Sequence, residues 1–292
     1  MTALIAYARW LLARSDVVTA YRFLTTRCEG EGEGAELLRY IERYWPHLTD
    51  PNAYANVYEV SGRFETAHIV DSALIPQSPR YQMILSVLAD RTECETVVDY
   101  GCSYGAWAVH LHNELGKRWW LYDIDAASIA AARNHIQAFA QVPSAFELNV
   151  TATFPTLVGS VDCVLLLEIL EHVRDPISLL RAAERAVRPG GLVLISVPIG
   201  PWEYTRWVTE PVRPREHLWE LTHQDLLDAL KHRPGLYIQS INYPAEQYTG
   251  LPLGHLVAVW QRPTTDFEIA DFNWSRKLTP FSVPVVRLPG EV

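Results

Sequence analysis

The sequence predicts a doubly wound α/β fold, a seven-stranded sheet with helices on both faces and a helical cap ahead of it. Three observations predict it. Short apolar strands alternate with helical patterns from residue 97 to residue 197, which implies parallel pairing. The first strand, Val97-Val98-Asp99-Tyr100, stops at a glycine turn that leads into a helix. Asp162 to Leu167 is a nearly unbroken apolar run, as expected of a strand buried on both faces.

Each element follows in order. Residues 1–90 read as the helical cap. Leu4, Ala8, Leu11 and Leu12 recur at helical spacing, as do Leu37, Leu38, Ile41 and Tyr44. The stretch from Glu29 to Gly34, rich in glycine and glutamate, separates the two helices as a solvated loop. Asp50-Pro51-Asn52 is a turn, Pro76 to Pro79 a breaker, and Arg80 to Ala89 a short helix. The sheet region spans 91–262. After the first strand, Trp107, Leu111 and Leu115 mark a helix, Trp119 to Tyr122 a strand and Ala126 to Ala140 a second helix. Ala145 to Val150 and Asp162 to Leu167 are the next strands. Ile177 to Val187 is a helix stopped by Arg188-Pro189-Gly190-Gly191, and Leu192 to Val197 is the fifth strand. Leu236 to Ile241 and His255 to Gln261 close the sheet. Residues 263–292 form a proline-rich tail packed on the surface.

The chain has 292 residues, 49% hydrophobic and 20% charged, so disorder and collagen-like repetition are excluded. A net charge of −9 opposes phosphate-driven binding to long nucleic acid, although a local basic pocket remains compatible with it. Cys28, Cys94, Cys102 and Cys163 are scattered, with no finger-like spacing, which points to a reduced, cytoplasmic setting. Met1 to Arg14 lacks the basic start and cleavage site of a signal peptide. No apolar run is long enough to span a bilayer.

The turn Gly101-Cys102-Ser103-Tyr104-Gly105 lies between a strand and a helix. Glycines let the backbone turn sharply and approach a ligand, and the helix start offers free N–H groups. Asp123 stands at the end of the second strand, where an acid is placed to bind two ribose hydroxyls. Asp125 reads as a helix N-cap, and Trp119 and Trp120 as core and interface.

These residues resemble the class I S-adenosylmethionine (SAM)-dependent methyltransferases. The family pattern is two apolar residues, then Asp-x-Gly-x-Gly-x-Gly, and an acid ten residues before a helix arginine, as Asp123 precedes Arg133. Val161 to Val173 resembles the family's fourth strand and its following turn, and Arg188 to Leu192 the turn before the fifth strand. The resemblance covers roughly residues 90–262 and implies a Rossmann-like methyltransferase sheet. It implies that Asp99 faces the methionine amino group and that Gly101 and Gly105 admit the cofactor. Asp123 would take the ribose hydroxyls, and Ile124 would pack on the adenine. Asn149 and Thr151 are candidates for the adenine edge, and Cys102 and Glu168 join the cofactor-binding set. Ser103 replaces the middle glycine and fits with a negative φ.

A second motif follows the fourth strand. In a helical turn, Glu168, Glu171 and His172 lie at i, i+3 and i+4, near one face. Two carboxylates and an imidazole suit Mg²⁺ or Mn²⁺. The block resembles that of ubiquinone-biosynthesis O-methyltransferases. It also resembles that of small-RNA 3′-terminal 2′-O-methyltransferases, which add a later histidine, matched here by His217. The resemblance therefore implies a four-ligand site of Glu168, Glu171, His172 and His217. Two other roles stay open: His172 or His217 as a direct catalytic base, and the block as a pocket wall. His223 reads as a solvated residue at a helix start.

Trp202, Tyr204, Trp207 and Trp219 interleave with Arg206, Arg213 and Arg215 in the segment that covers the acceptor in this family. Tyr54, Tyr58 and Arg63 of the cap would close over the same pocket. Stacking rings and arginines favour a small polar or anionic acceptor. The expected activity is O-methylation of a hydroxylated small molecule, a sugar, nucleotide-linked sugar or phenol, with metal assistance as an option. The alternatives are 2′-O-methylation of RNA ends, which the net charge opposes, and a non-catalytic SAM-binding regulatory or assembly protein, which the Glu-x-x-Glu-His block opposes.

Overall fold

A computed structural model of the chain describes residues 5–9, 17–27, 32–45, 72–151, 154–199, 217–219, 221, 223–242 and 254–262. The Asp50-Pro51-Asn52 turn and the 263–292 tail lie outside the described residues. Helices α1 (Val17–Arg27) and α2 (Glu33–Tyr44) precede α3 (Pro79–Ala89). The alternating unit then runs β1 (Thr96–Tyr100), α4 (Ala106–Leu115), β2 (Arg118–Asp123), α5 (Ala126–Phe139), β3 (Phe146–Val150) and β4 (Val161–Leu167). It continues as α6 (Pro176–Ala186), β5 (Val187–Ile199), α7 (His223–Leu230), β6 (Tyr237–Asn242) and β7 (Gly254–Gln261).

One seven-stranded sheet has the order β3-β2-β1-β4-β5-β7-β6. β1 to β5 pair in parallel, whereas β7 runs antiparallel to both β5 and β6. The sheet is therefore mixed. The order reverses between β1 and β4, so the ends of those strands open a crevice. Alternation along each strand divides the core by face. Val98, Val164, Leu166, Val193 and Ile195 fill one side, with Leu180 and Ala183 of α6. Val97, Cys163, Leu165, Leu192 and Leu194 fill the other, with Leu88 of α3, Leu111 of α4 and Ile136 of α5. Cys94, Cys102 and Cys163 are free thiols. Among the described residues, no helix is long and apolar enough to cross a membrane.

Most boundaries shift by one or two residues from the sequence reading, and two starts differ for a physical reason. α2 begins at Glu33, inside the expected loop, because Glu33 and Glu36 place negative charge in its first turn. β5 begins at Val187, because the Arg-Pro-Gly-Gly segment is a bulge: Val161 pairs with Val187 and Cys163 already pairs with Leu192. A side chain at Gly191 would collide with Val187 and the Asp162 carbonyl.

α1 and α2 carry a third cluster. Ala20, Leu24, Leu37, Ile41 and Trp45 enclose Leu218, a residue distant in sequence that adjoins the functional site.

Candidate active site

The first half of the site is the turn after β1. Gly101, Ser103 and Gly105 have φ of 84°, 50° and 73°. Ser103 is thus left-handed, contrary to the expected negative φ. What holds it there is Asp123, whose Oδ2 accepts the Ser103 N–H at 2.8 Å while Oδ1 accepts that of Asp125 at 2.9 Å. The Gly101 and Cys102 N–H groups donate to the Tyr122 carbonyl at 2.8 and 3.1 Å, which docks the turn on β2. A Cβ at Gly101 would stand 2.9 Å from the Ile169 side chain, so the turn after β4 lies directly against this one.

Asp99 is buried, and its carboxyl is pushed up to about 7 by burial and by the charge of Asp123. Burial also raises Asp123, against the lowering effect of the Asp125 and Ser103 N–H groups. Burial, Asp99 and Asp123 push the Cys102 thiol well above its ordinary range, which favours the neutral thiol. Ile124 is half-buried beside Asp123. Asn149 is exposed near the end of β3, opposite Tyr122, and the Thr151 N–H donates to the Asp123 carbonyl at 2.8 Å. Asp125 caps α5, accepting from the Ala127 and Ser128 N–H groups at 3.2 and 2.7 Å, and Trp119 is fully buried.

The second half follows β4. The expected helical turn does not form: Glu168 has φ 56°, and the chain proceeds through turns until Asp175 caps α6. The left-handed residue turns Glu168 away from its neighbours. Its Oε1 lies 2.8 Å from an Arg80 guanidinium nitrogen of α3 and accepts the Ser196 hydroxyl of β5 at 2.7 Å. Its Oε2 lies 2.8 Å from His255 Nε2 of β7. Burial would raise the Glu168 carboxyl, but Arg80, His255 and Ser196 outweigh burial and hold it at about 2.

Glu171, His172 and His217 come together without Glu168. Their ligand atoms lie within 4.8 Å of one another. Glu171 is 1% exposed, with Oε1 3.6 Å from His172 Nε2. The two imidazole rings stand 4.8 Å apart at 66°. The 217–219 segment is tied to the turn because the Leu218 and Trp219 N–H groups donate to the Glu171 carbonyl at 2.6 and 3.2 Å. The Trp219 indole donates to the Val173 carbonyl at 2.7 Å. Trp45, at the end of α2, donates to the His217 carbonyl at 3.2 Å.

One buried carboxylate and two imidazoles, gathered this closely, are a donor set that fits one divalent ion. Glu168, the fourth residue of the expected set, lies outside this group. Arg80, Ser196, His255 and Trp45 have no sequence signature, because each reaches the site from a distant segment. Trp202, Tyr204, Arg206, Trp207, Arg213 and Arg215, and Tyr54, Tyr58 and Arg63, lie outside the described residues. His223 is exposed at the first position of α7, with Nδ1 3.2 Å from the Ser240 hydroxyl.

A family model described as a methyltransferase domain matches residues 33–241. The chain is 35% identical over 102 residues to the ubiquinone biosynthesis O-methyltransferase of Sodalis glossinidius (strain morsitans), covering 35% of this chain and 41% of that protein. It is 30% identical over 152 residues to the same-named protein of Hydrogenovibrio crunogenus, covering 51% of this chain and 58% of the relative. The chain thus spans about half the length of these curated relatives. A solved geranyl diphosphate methyltransferase in complex with SAM shares the fold, with a TM-score of 0.50 and 16% identity over 73% of this chain and 91% of that one.

Proposed function

The chain belongs to the methyltransferase-domain family, among the class I SAM-dependent methyltransferases, and from that premise we propose that it methylates a hydroxyl group of a small polar acceptor. The observation that carries this reading is the Glu171–His172–His217 cluster, built on the same turn after β4 whose Ile169 packs against Gly101. A sulfonium methyl is already activated, so an amine needs little beyond positioning. A hydroxyl must also lose a proton, and a buried carboxylate with two imidazoles serves that need. The name carried by the matched relatives, ubiquinone biosynthesis O-methyltransferase, supports an oxygen acceptor.

In this reading Asp99 holds the cofactor's ammonium group. Asp123 keeps lone pairs for the ribose hydroxyls while its two oxygens brace Ser103 and Asp125. Gly101 and Gly105 let the backbone approach the cofactor, Ile124 covers the adenine, and Asn149 and Thr151 meet its edge. SAM, when bound, supplies the activated methyl group. Glu171, His172 and His217 would hold a divalent ion, which would supply Lewis acidity to the acceptor oxygen. The buried Glu171 carboxylate, with Oε1 3.6 Å from His172 Nε2, supplies the negative charge that such an ion or an abstracted proton needs.

The test is calorimetric titration of S-adenosylhomocysteine, then of Mn²⁺ and Mg²⁺, into the native chain and Glu171→Ala. Tight S-adenosylhomocysteine binding in both, with saturable metal binding in the native chain alone, is expected. A panel of phenols, diols and sugars then identifies the acceptor by methyl transfer. Turnover of amines only, or none with any hydroxyl, overturns the oxygen-acceptor assignment.

A further inference from the structure

We infer that Glu168 is a positioning residue, which with Arg80, Ser196 and His255 locks the turn that joins the two halves of the site. The inference rests on the methyltransferase reading and departs from a ligand role for Glu168. Four elements converge on this one carboxylate: α3 through Arg80, β5 through Ser196, β7 through His255, and β4, which ends beside it. A glutamate at φ 56° is held against its own backbone preference, which requires surroundings that over-determine it. These contacts supply them.

The turn so fixed has two working faces. Ile169, the next residue, packs against Gly101 of the cofactor turn. Glu171 and His172, three and four residues on, join His217. Arg80 also stacks on Trp107, with its guanidinium carbon 4.8 Å from the ring centroid, and Trp107 lies in the first turn of α4, directly after the cofactor turn. The network therefore touches the cofactor half through Trp107 and Ile169 and the acceptor half through Glu171 and His172. Releasing the carboxylate frees the backbone from φ 56° and loosens both halves together.

The experiment compares the native chain with Glu168→Gln, Arg80→Gln, Arg80→Lys, the Glu168→Gln/Arg80→Gln double variant and Glu171→Gln. Calorimetry reads the affinity for S-adenosylhomocysteine and, separately, for Mn²⁺; thermal unfolding identifies the folded fraction, to which affinities are normalised. Glu168→Gln and Arg80→Gln should each weaken S-adenosylhomocysteine by about 10-fold and Mn²⁺ by about 10- to 100-fold, as supporting groups around a site do. The double variant should be no worse than either single one, because both remove the same lock. Arg80→Lys should recover most of the loss. If Glu168→Gln fails to fold, Ser196→Ala, which removes a single hydrogen bond, should show the same two losses on a smaller scale. Loss of Mn²⁺ binding in Glu168→Gln equal to that in Glu171→Gln, with Arg80→Gln unaffected, would make Glu168 a ligand and overturn the inference. Lowered melting temperature with unchanged affinities would make the network merely structural, and also overturn it. If the native chain binds S-adenosylhomocysteine but not Mn²⁺, the cofactor arm alone decides by the same criteria. A native chain that binds no S-adenosylhomocysteine fails at the methyltransferase reading itself, and the inference falls with it.

Discussion

Asp99 is a buried carboxyl group with a second carboxylate, that of Asp123, near it. Its pKa in the folded chain is about 7, above the ordinary 3.8. A raised carboxyl contributes stability below the unfolded value, and that contribution is lost as pH rises through the folded value. The ligand-free chain should therefore lose stability from this group between pH 4 and pH 7. A ligand ammonium beside Asp99 favours the ionised form and reverses the trend for binding. S-adenosylhomocysteine should bind more tightly at pH 8 than at pH 6, and at pH 6 its uptake should release a proton. Calorimetry in two buffers of different ionisation enthalpy measures that proton; equal heats after buffer correction, with no pH trend, would remove Asp99 from the ammonium site. Ser103 and Glu168 make the complementary point about single residues. Both hold left-handed φ without being glycine, and both are held by carboxylate hydrogen bonds or ion pairs made over long range.

Elements are joined by a few buried or half-buried carboxylates as well as by apolar packing. Asp162, near the start of β4, accepts the Glu95 and Thr96 N–H groups at 2.9 and 2.8 Å, the Thr96 hydroxyl at 2.8 Å and the Arg188 guanidinium. It ties β1, β4 and the β5 bulge together at the end of the sheet opposite the site. Burial alone would raise it; Arg188, Thr96 and Glu95 outweigh burial and hold it at about 2. Asp162→Ala should destabilise the chain by about 1.5–3 kcal/mol, the worth of hydrogen bonds to a charged group. The sign with pH follows from a lowered carboxyl: the contribution is complete above the ordinary 3.8 and disappears as pH falls toward 2. Urea unfolding of both proteins at pH 7 and pH 2.5 should show the difference at pH 7 shrinking at pH 2.5, and an equal difference at both would exclude this role. Glu184 does similar work for α6, accepting from Arg233 at 2.8 and 3.2 Å and from the Trp260 indole of β7 at 2.9 Å.

On the scale of the whole molecule, the N-terminal helices take part in the site. Trp45 packs with Leu218 and holds the His217 carbonyl, so the second imidazole depends on α2 for its place. Trp45→Ala should cost about 3–5 kcal/mol, as truncation of a buried aromatic does. It should also weaken Mn²⁺ binding while sparing S-adenosylhomocysteine, whose turn lies on β1 and β2. Denaturant unfolding combined with the two titrations checks both, and equal loss of the two ligands would count against this division.

The amino-acid sequence by itself determined the parallel strands and the glycine turn after β1, because those signals are local. Val97 to Gly105 carries its own strand, glycines and helix start, Asp123 ends the next strand, and Asp162 to Leu167 is apolar enough to be buried on both faces. The antiparallel direction of β7, the bulge at Gly190 and Gly191, and the φ of Ser103 were decided by pairing and packing between distant strands. The same holds for the site after β4. Spacing alone places Glu168, Glu171 and His172 on one face of a helical turn. Tertiary structure gives Glu168, at a left-handed φ, to Arg80, Ser196 and His255, and gives Glu171 and His172 to His217, because those partners arrive from segments distant in sequence.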